Sequence, residues 1–327
     1  MSLPEDFENN LFTSKKWLSV ISKTYGIDFF VVANNDLSFL LPFCQINNYF
    51  SAMKSIPFSD YTLINYSEDF LKEALLLLKK TFPEYYIETT VINKKSPDIE
   101  GYSSIINGFL VQINIPAWKI SSVWKDSYER NIRKALNYGI EIKVSNEKSS
   151  VEKFYAIHEQ LRINKFNKLP QPKRFFNAIY SSFIDNDSGF FLEAWHKEKL
   201  LASWLILKHN ETLYYKFGAS DLRYLNMRPN DLLFRTLMQY GSENGFKTVD
   251  LGFSGASKSY EGLLRFKRKE GGEKLNFYHL EYFPAGFDKS RLEEKRRFLT
   301  KITREAITSG NLSEIRKISD IYYEKFA

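Results

Sequence analysis

The sequence predicts a mixed α/β protein of two similar halves, each an α+β mixed sheet, followed by a C-terminal helical tail. Three observations carry this. A chain of 327 residues exceeds the roughly 100–200 of one ordinary domain and suits two. Residues 29–61 and 190–222 share one layout at a constant offset, which pairs Phe29-Phe30 with Phe190-Phe191, Leu40 with Leu201 and Asp60 with Asp221. Each of these segments is followed by helix, strand, loop and strand, an order that mixes antiparallel hairpins with one parallel crossover. The expected divisions are 1–140, 141–287 and 288–327.

In chain order, a short helix over 14–22 opens the first half. Residues 29–61 (FFVVANNDLSFLLPFCQINNYFSAMKSIPFSDY) read as a strand meander with its hairpin turn at Asn34-Asn35-Asp36. Residues 70–82 (FLKEALLLLKKTF) form a helix with apolar residues on most faces, hence largely buried, and residues 231–246 are its counterpart. Strands follow at Ile87-Glu88-Thr89 and Val249-Asp250-Leu251, and each half closes with its own last strand, 109–115 or 275–282.

Between the halves, Ile120, Val123, Trp124, Tyr128, Ile132, Ala135 and Leu136 recur at helical spacing, and Gly139 suits the position just past a helix end. The opposite face carries Arg130, Arg133 and Lys134, either a solvated face or a contact for RNA or phosphate. A helix over 151–163 ends near Arg162 and runs into a Pro-broken loop, 164–173. The tail reads as two helices hinged at Ser309-Gly310-Asn311.

Composition narrows the chemistry. Apolar residues at 43% and charged ones at 26% fit a soluble globular chain with no segment that must be disordered. The net charge of +7 favours anionic partners, without choosing among phosphates, nucleotides, RNA and membrane surface. The single Cys44 rules out an internal disulfide, and four scattered histidines offer no zinc spacing. An acidic N-terminus and the lack of an apolar run near 18 residues point to a cytoplasmic protein without a membrane span. Walker, Rossmann, HExxH and GxSxG motifs are absent, which leaves catalysis by positioning and electrostatics with a carboxylate base. The stretch 246–272 (FKTVDLGFSGASKSYEGLLRFKRKEGG) is the natural ligand site: a strand tip stopping at Asp250 and Gly252, a polar loop, and a cationic anchor before Gly271-Gly272.

The segments SYERNIRKALNYGIEI, HEQLRINKFNKLPQP, YYKFGASD and RPNDLLF, together with VDLGFSG…GLLRFKRKEGG and the first-half SIPFSDY, resemble the FemAB-like acyltransferases, a GNAT branch with two tandem GNAT-type domains. The resemblance spans about residues 25–285. It implies transfer of an acyl or aminoacyl group from an activated carrier to an amine, in a groove between the domains and without a covalent nucleophile. Such a reaction needs a proton acceptor and donors aimed at an oxyanion, and Asp250 and Asp60 are the candidate acceptors. Phe266-Lys267 matches an FK pair kept in the family, with Lys267 expected to hold a donor phosphate. Arg162 is expected either to pair with a second anionic group or to lock its loop. Tyr215 and Lys216 lie on the strand that lines the acyl site in GNAT folds, and Asn230 lies in the loop where other members bind the pyrophosphate of acetyl-CoA.

That loop, Leu225 to Asn230, lacks the glycines of the [QR]xxGx[GA] pattern, which favours aminoacyl-tRNA or another bulky carrier over acyl-CoA. No tightly bound cofactor and no DNA partner are expected. The acceptor amine sits on a nucleotide-linked or lipid-linked envelope precursor in the first reading and on an amino sugar or small amine, served by acyl-CoA or an acyl carrier, in the second. A non-catalytic RNA- or sugar-binding relic is the third. On the first two, Lys267→Ala raises the apparent KM for the donor at little cost to fold stability.

Overall fold

Helix α1 (Lys15–Tyr25) shows how local sequence sets an element here. The Ser14 side chain accepts from the Trp17 N–H, Gly26 at φ 67° ends the helix, and Trp17, Leu18, Val20, Ile21 and Tyr25 are buried. Burial of each large side chain is worth about 1.5–3 kcal/mol. The computed structural model describes residues 10–33, 35, 40–47, 49–120, 126–269 and 271–325. Asn34 and Asp36 of the expected turn, and Val123 and Trp124 of the expected connecting helix, lie outside them.

Strands β1 (Phe30–Ala33), β2 (Leu40–Ile46) and β3 (Ala52–Ser55) form the first meander. Helix α2 (Glu68–Thr81) crosses over and sets β4 (Tyr86–Asn93) parallel to β3. Strand β5 (Tyr102–Asn114) leads through α3 (Ile115–Ile120) and α4 (Asp126–Asn137) to β6 (Ile140–Ser145). Helices α5 (Ser149–Asn164) and α6 (Lys173–Ser182) precede the second meander, β7 (Gly189–His196), β8 (Lys199–His209) and β9 (Thr212–Ser220). Helix α7 (Pro229–Glu243) then places β10 (Thr248–Gly255) parallel to β9. Helix α8 (Glu261–Lys269) leads into β11 (Glu273–Tyr282), and α9 (Ser290–Ser309) and α10 (Leu312–Lys325) finish the described chain. The repeat therefore holds at the level of elements, β2 with β8, β3 with β9, α2 with α7 and β4 with β10.

Among the described residues the strands form one sheet in the order β1-β2-β3-β4-β11-β5-β10-β9-β8-β7-β6. The two halves do not close on their own last strands. β11 runs antiparallel between β4 and β5, with Tyr282 opposite Ile87 on one side and Tyr102 on the other. The far edge of β5 pairs with β10, Asn114 opposite Thr248. Each half thus borrows the closing strand of the other, and paired strands cross the expected division at residue 140. Alternation marks 109–115 and 275–282 as strands but carries no information about which edge a strand fills.

The core is also shared. One apolar cluster joins α1, α5, α6 and the C-terminal helices through Trp17, Phe154, Phe175, Phe176 and Tyr323; a second surrounds α7 and α4, and a third lies under α2. Helix α2 is less enclosed than its composition implies. Phe70, Leu71, Ala74, Leu75 and Leu78 are buried, while Leu77 is 53% exposed, so one face is covered and the other meets solvent. No helix among the described residues is long and apolar enough to cross a membrane.

A polar cluster lies on the first half of the sheet. Lys54 Nζ sits 2.9 Å from Glu88 Oε1, and His279 Nε2 lies 3.4 Å from Glu88 and 3.6 Å from Glu281. The Tyr86 hydroxyl lies in hydrogen-bonding contact with both carboxylates. An ammonium and an imidazolium here balance two carboxylates, which is what a buried charge group requires. Burial works against the imidazolium, but hydrogen bonds to Glu281 and Glu88 and their charges raise the His279 pKa from 6.5 to about 9. A raised histidine pKa stabilises the fold fully below its unfolded value of 6.5, and this contribution is lost as pH rises through about 9. Melting temperatures measured from about pH 6.5 to about pH 8 are expected to fall as pH rises, and His279→Gln should flatten that part of the curve.

Candidate active site

Strands β9 and β10 pair only from Thr212 to Tyr214 and from Thr248 to Asp250. Beyond that point they part, because β10 follows β5 through a bulge between Asp250 and Phe253. Gly252 makes the bulge feasible. It sits at φ 67°, and a Cβ there would lie 2.9 Å from Asp60 Oδ2 and 3.1 Å from the Tyr215 carbonyl oxygen. The gap opens into a cavity of about 630 Å³, walled by Tyr215 to Gly218 of β9, Leu251 to Phe253 of β10, Phe266 and Lys267 of α8, and His158 and Arg162 of α5. Asn230 and Asp231 at the start of α7, Trp204 of β8 and Asp60, from the loop after β3, also line it.

Seven of the expected site residues therefore meet: Asp60, Arg162, Tyr215, Lys216, Asn230, Phe266 and Lys267. Asp60 is the first half's contribution. Its Oδ1 accepts from Lys216 Nζ at 2.6 Å and its Oδ2 from the Phe253 N–H at 3.2 Å. The Lys216 ammonium is almost fully enclosed, 4.6 Å from the Phe12 ring centroid and 5.1 Å from that of Trp17. Such a pair stands because charge, hydrogen bonds and ring faces together offset the cost of dehydration.

Lys267, expected to hold a donor phosphate, is buried. It is 2% exposed, and Nζ donates to the Gly252 carbonyl at 2.9 Å and the Phe253 carbonyl at 3.0 Å. Two hydrogen bonds from its ammonium clamp the bulge and hold the strand tip open. Burial lowers its pKa to about 8, against the opposing charges of Asp60 and Asp250. The residues expected as a loop around it are ordered: a 3-10 turn, Lys258–Tyr260, runs into α8, and Phe266 packs edge-on 6.4 Å from Trp204.

Asp250 does not line the cavity. Its Oδ2 accepts from the Tyr61 hydroxyl at 2.8 Å and from Gln112 at 3.3 Å, and its Oδ1 from the Gly252 N–H at 2.7 Å. Burial pushes its pKa up to about 6 despite these donors. Arg162 is bonded to its loop: Nε and Nη2 donate to the Leu169 carbonyl, and Nη2 reaches the Tyr323 hydroxyl. Asn230 accepts from Trp204 Nε1 and Ser220 Oγ, both at 3.1 Å. Tyr215 stands against Trp204 with ring centroids 4.5 Å apart. Arg130, Arg133 and Lys134 line a separate hollow of about 630 Å³ on α4, with Asn137 and Tyr138.

His158 is a cavity residue that sequence reasoning passed over. It is buried and accepts or donates at 2.9 Å with Gln171, and burial drives its pKa down to about 3, so it is neutral. Its position on the apolar side of α5, four residues before Arg162, was the available signal.

Comparison with known proteins bears on the fold. The family model described as an acetyltransferase (GNAT) domain matches residues 125–268. No curated protein matches the sequence significantly. Among solved structures, FemX superposes with a TM-score of 0.62 at 14% identity, covering 84% of this chain and 92% of its own. L-PGS from Bacillus licheniformis gives 0.56 at 14% identity, covering 88% and 96%. The C-terminal domain of a proposed lysylphosphatidylglycerol synthetase from Agrobacterium fabrum gives 0.56 at 12%, covering 86% and 91%.

Burial turns the expected effect of removing Lys267 from donor affinity to stability. Lys267→Ala leaves two carbonyls at the bulge without their donor and opens a void, and about 2–4 kcal/mol of stability should be lost. Urea denaturation measures it; a loss under about 0.5 kcal/mol contradicts the clamp.

Proposed function

We propose that this chain, whose fold is that of the FemAB-like acyltransferases of the GNAT superfamily, moves an acyl or aminoacyl group from an activated carrier to an amine in the cavity between β9 and β10. The observation that carries the proposal is the convergence of Asp60, Lys216 and Lys267 on the place where the two strands part. A neutral amine attacks the carbonyl carbon of the donor. The new C–N bond leaves an oxyanion, which collapses as the bond to the carrier breaks. Asp60 takes the proton released by the amine and passes it on toward the departing carrier atom. The cations Lys216 and Lys267 stabilise the negative charge in a partly dehydrated space.

The start of α7 favours a carrier other than CoA. A pyrophosphate is held at a helix N-terminus by free N–H groups and the helix dipole. Here Asp231, buried in the first turn and bonded to Asn131 at 2.8 Å, places a carboxylate at that position. Aminoacyl-tRNA is therefore the donor we propose, with Arg130, Arg133 and Lys134 as an outlying phosphate contact. The acceptor is an amine on an envelope precursor, nucleotide-linked or lipid-linked, and the work is cytoplasmic, where charged tRNA is made. The name lysylphosphatidylglycerol synthetase on one structural neighbour supports an aminoacyl reading.

Incubation with charged tRNA should deacylate it and label an amine acceptor, whereas labelled acetyl-CoA should leave the acceptor unlabelled; the reverse pattern selects the CoA reading, and silence with both donors selects a binding protein. Asp60→Asn should lower kcat by about 10²–10⁴, with far-ultraviolet circular dichroism unchanged. A kcat within a factor of about two of the parent removes Asp60 from proton transfer.

A further inference from the structure

A second opening lies between the 165–171 loop and the C-terminal helices. It has a volume of about 880 Å³ and shares Arg162 with the cavity described above. Its charged lining residues are Arg162, Lys168, Arg296 and Arg304, and among the described residues no carboxylate lines it. Leu299, Ile307 and Tyr322 supply an apolar wall beside these cations.

The shape of this opening is fixed from several sides. The Leu169 carbonyl accepts from Arg162 and from the Tyr323 hydroxyl, which ties loop to α10. Arg316 forms a two-pronged pair with the buried Glu159, 2.7 and 2.8 Å, which ties α10 to α5. Lys168 reaches toward the Tyr260 hydroxyl at 3.5 Å, and Tyr260 lines the first cavity, so the two openings meet at Lys168 as well as at Arg162. Arg296 is engaged by Glu293 at 2.7 Å, whereas Arg304 is exposed and makes no ion pair among the described residues.

A pre-shaped groove with cations, no acid and an apolar flank fits an anion attached to a larger body. We propose that it binds the phosphate or diphosphate group of the substrate whose reacting end enters the cavity beside Asp60, with Lys168 and Arg304 as the phosphate contacts and Leu299 and Tyr322 under the adjoining non-polar part. This rests on the transferase reading for the identity of the reacting end. The C-terminal helices are then a wall of the substrate site.

Titration of the whole protein with inorganic pyrophosphate, followed by calorimetry, tests the groove without any transfer reaction. Arg304→Glu and Lys168→Glu should each weaken binding by about tenfold or more. Arg297→Glu, an equal change of charge on the same helix outside the groove, should leave it within about twofold. No binding by the parent, or an equal loss in Arg297→Glu, overturns the proposal. Sedimentation with vesicles of phosphatidylglycerol and phosphatidylcholine identifies the source: vesicle binding that is lost in Arg304→Glu assigns a lipid headgroup, and pyrophosphate binding without vesicle binding assigns a soluble phosphate ester. Pyrophosphate binding that survives when no transfer activity is found keeps the groove and removes the transferase reading instead.

Discussion

The antiparallel pairing of β5 with β11 is the contact on which the rest of the molecule depends. It sits at the middle of the sheet, and each of its two strands turns its outer edge to the half from which it did not come. Backbone hydrogen bonding satisfies edges that would otherwise be open. It also fixes the distance between Asp60, near the end of the first meander, and β10, since both hang from strands registered through this pair. A carboxylate from one half can then approach a bulge in the other to hydrogen-bonding distance, 3.2 Å from the Phe253 nitrogen.

Within that frame, the cavity is kept open by a small number of linked polar contacts. The bulge turns at Gly252; Lys267 holds its carbonyls from one side, and Asp60 and Asp250 accept its N–H groups from the other. Donors and acceptors are matched, which allows charged groups to be buried where strand pairing ends. The two acids illustrate how position separates similar side chains. Asp250 is surrounded by three donors and faces away from the space, while Asp60 keeps an edge on it.

Much of this is legible in the sequence. The duplicated layout survives as matched elements because hydrophobic spacing is a local property, and Gly139 follows a helix end as its chemistry suggests. The partner of a closing strand was not legible, since β5 and β11 look alike as apolar alternations whatever edge they fill. Helix α6 was also missed. Its buried Phe175, Phe176 and Ile179 follow a proline-rich loop, and the spacing is readable only once the loop is known to end at Pro172. Lys267 reads in sequence as a cationic anchor for a donor phosphate; its burial follows from the turn of α8 over β10, a tertiary fact.

The exchange of closing strands has a consequence for the order in which the chain can assemble. Strand β4 is complete at Asn93, but its neighbour β11 ends at Tyr282, so the first half must wait with an open edge while the intervening chain is made and folded. Contacts across so long a separation form late and slowly, because the entropy of closing the loop must be met before they contribute. During synthesis the edge of β4 therefore stays without its final neighbour until β11 emerges, whereas β5 is already made when β10 emerges.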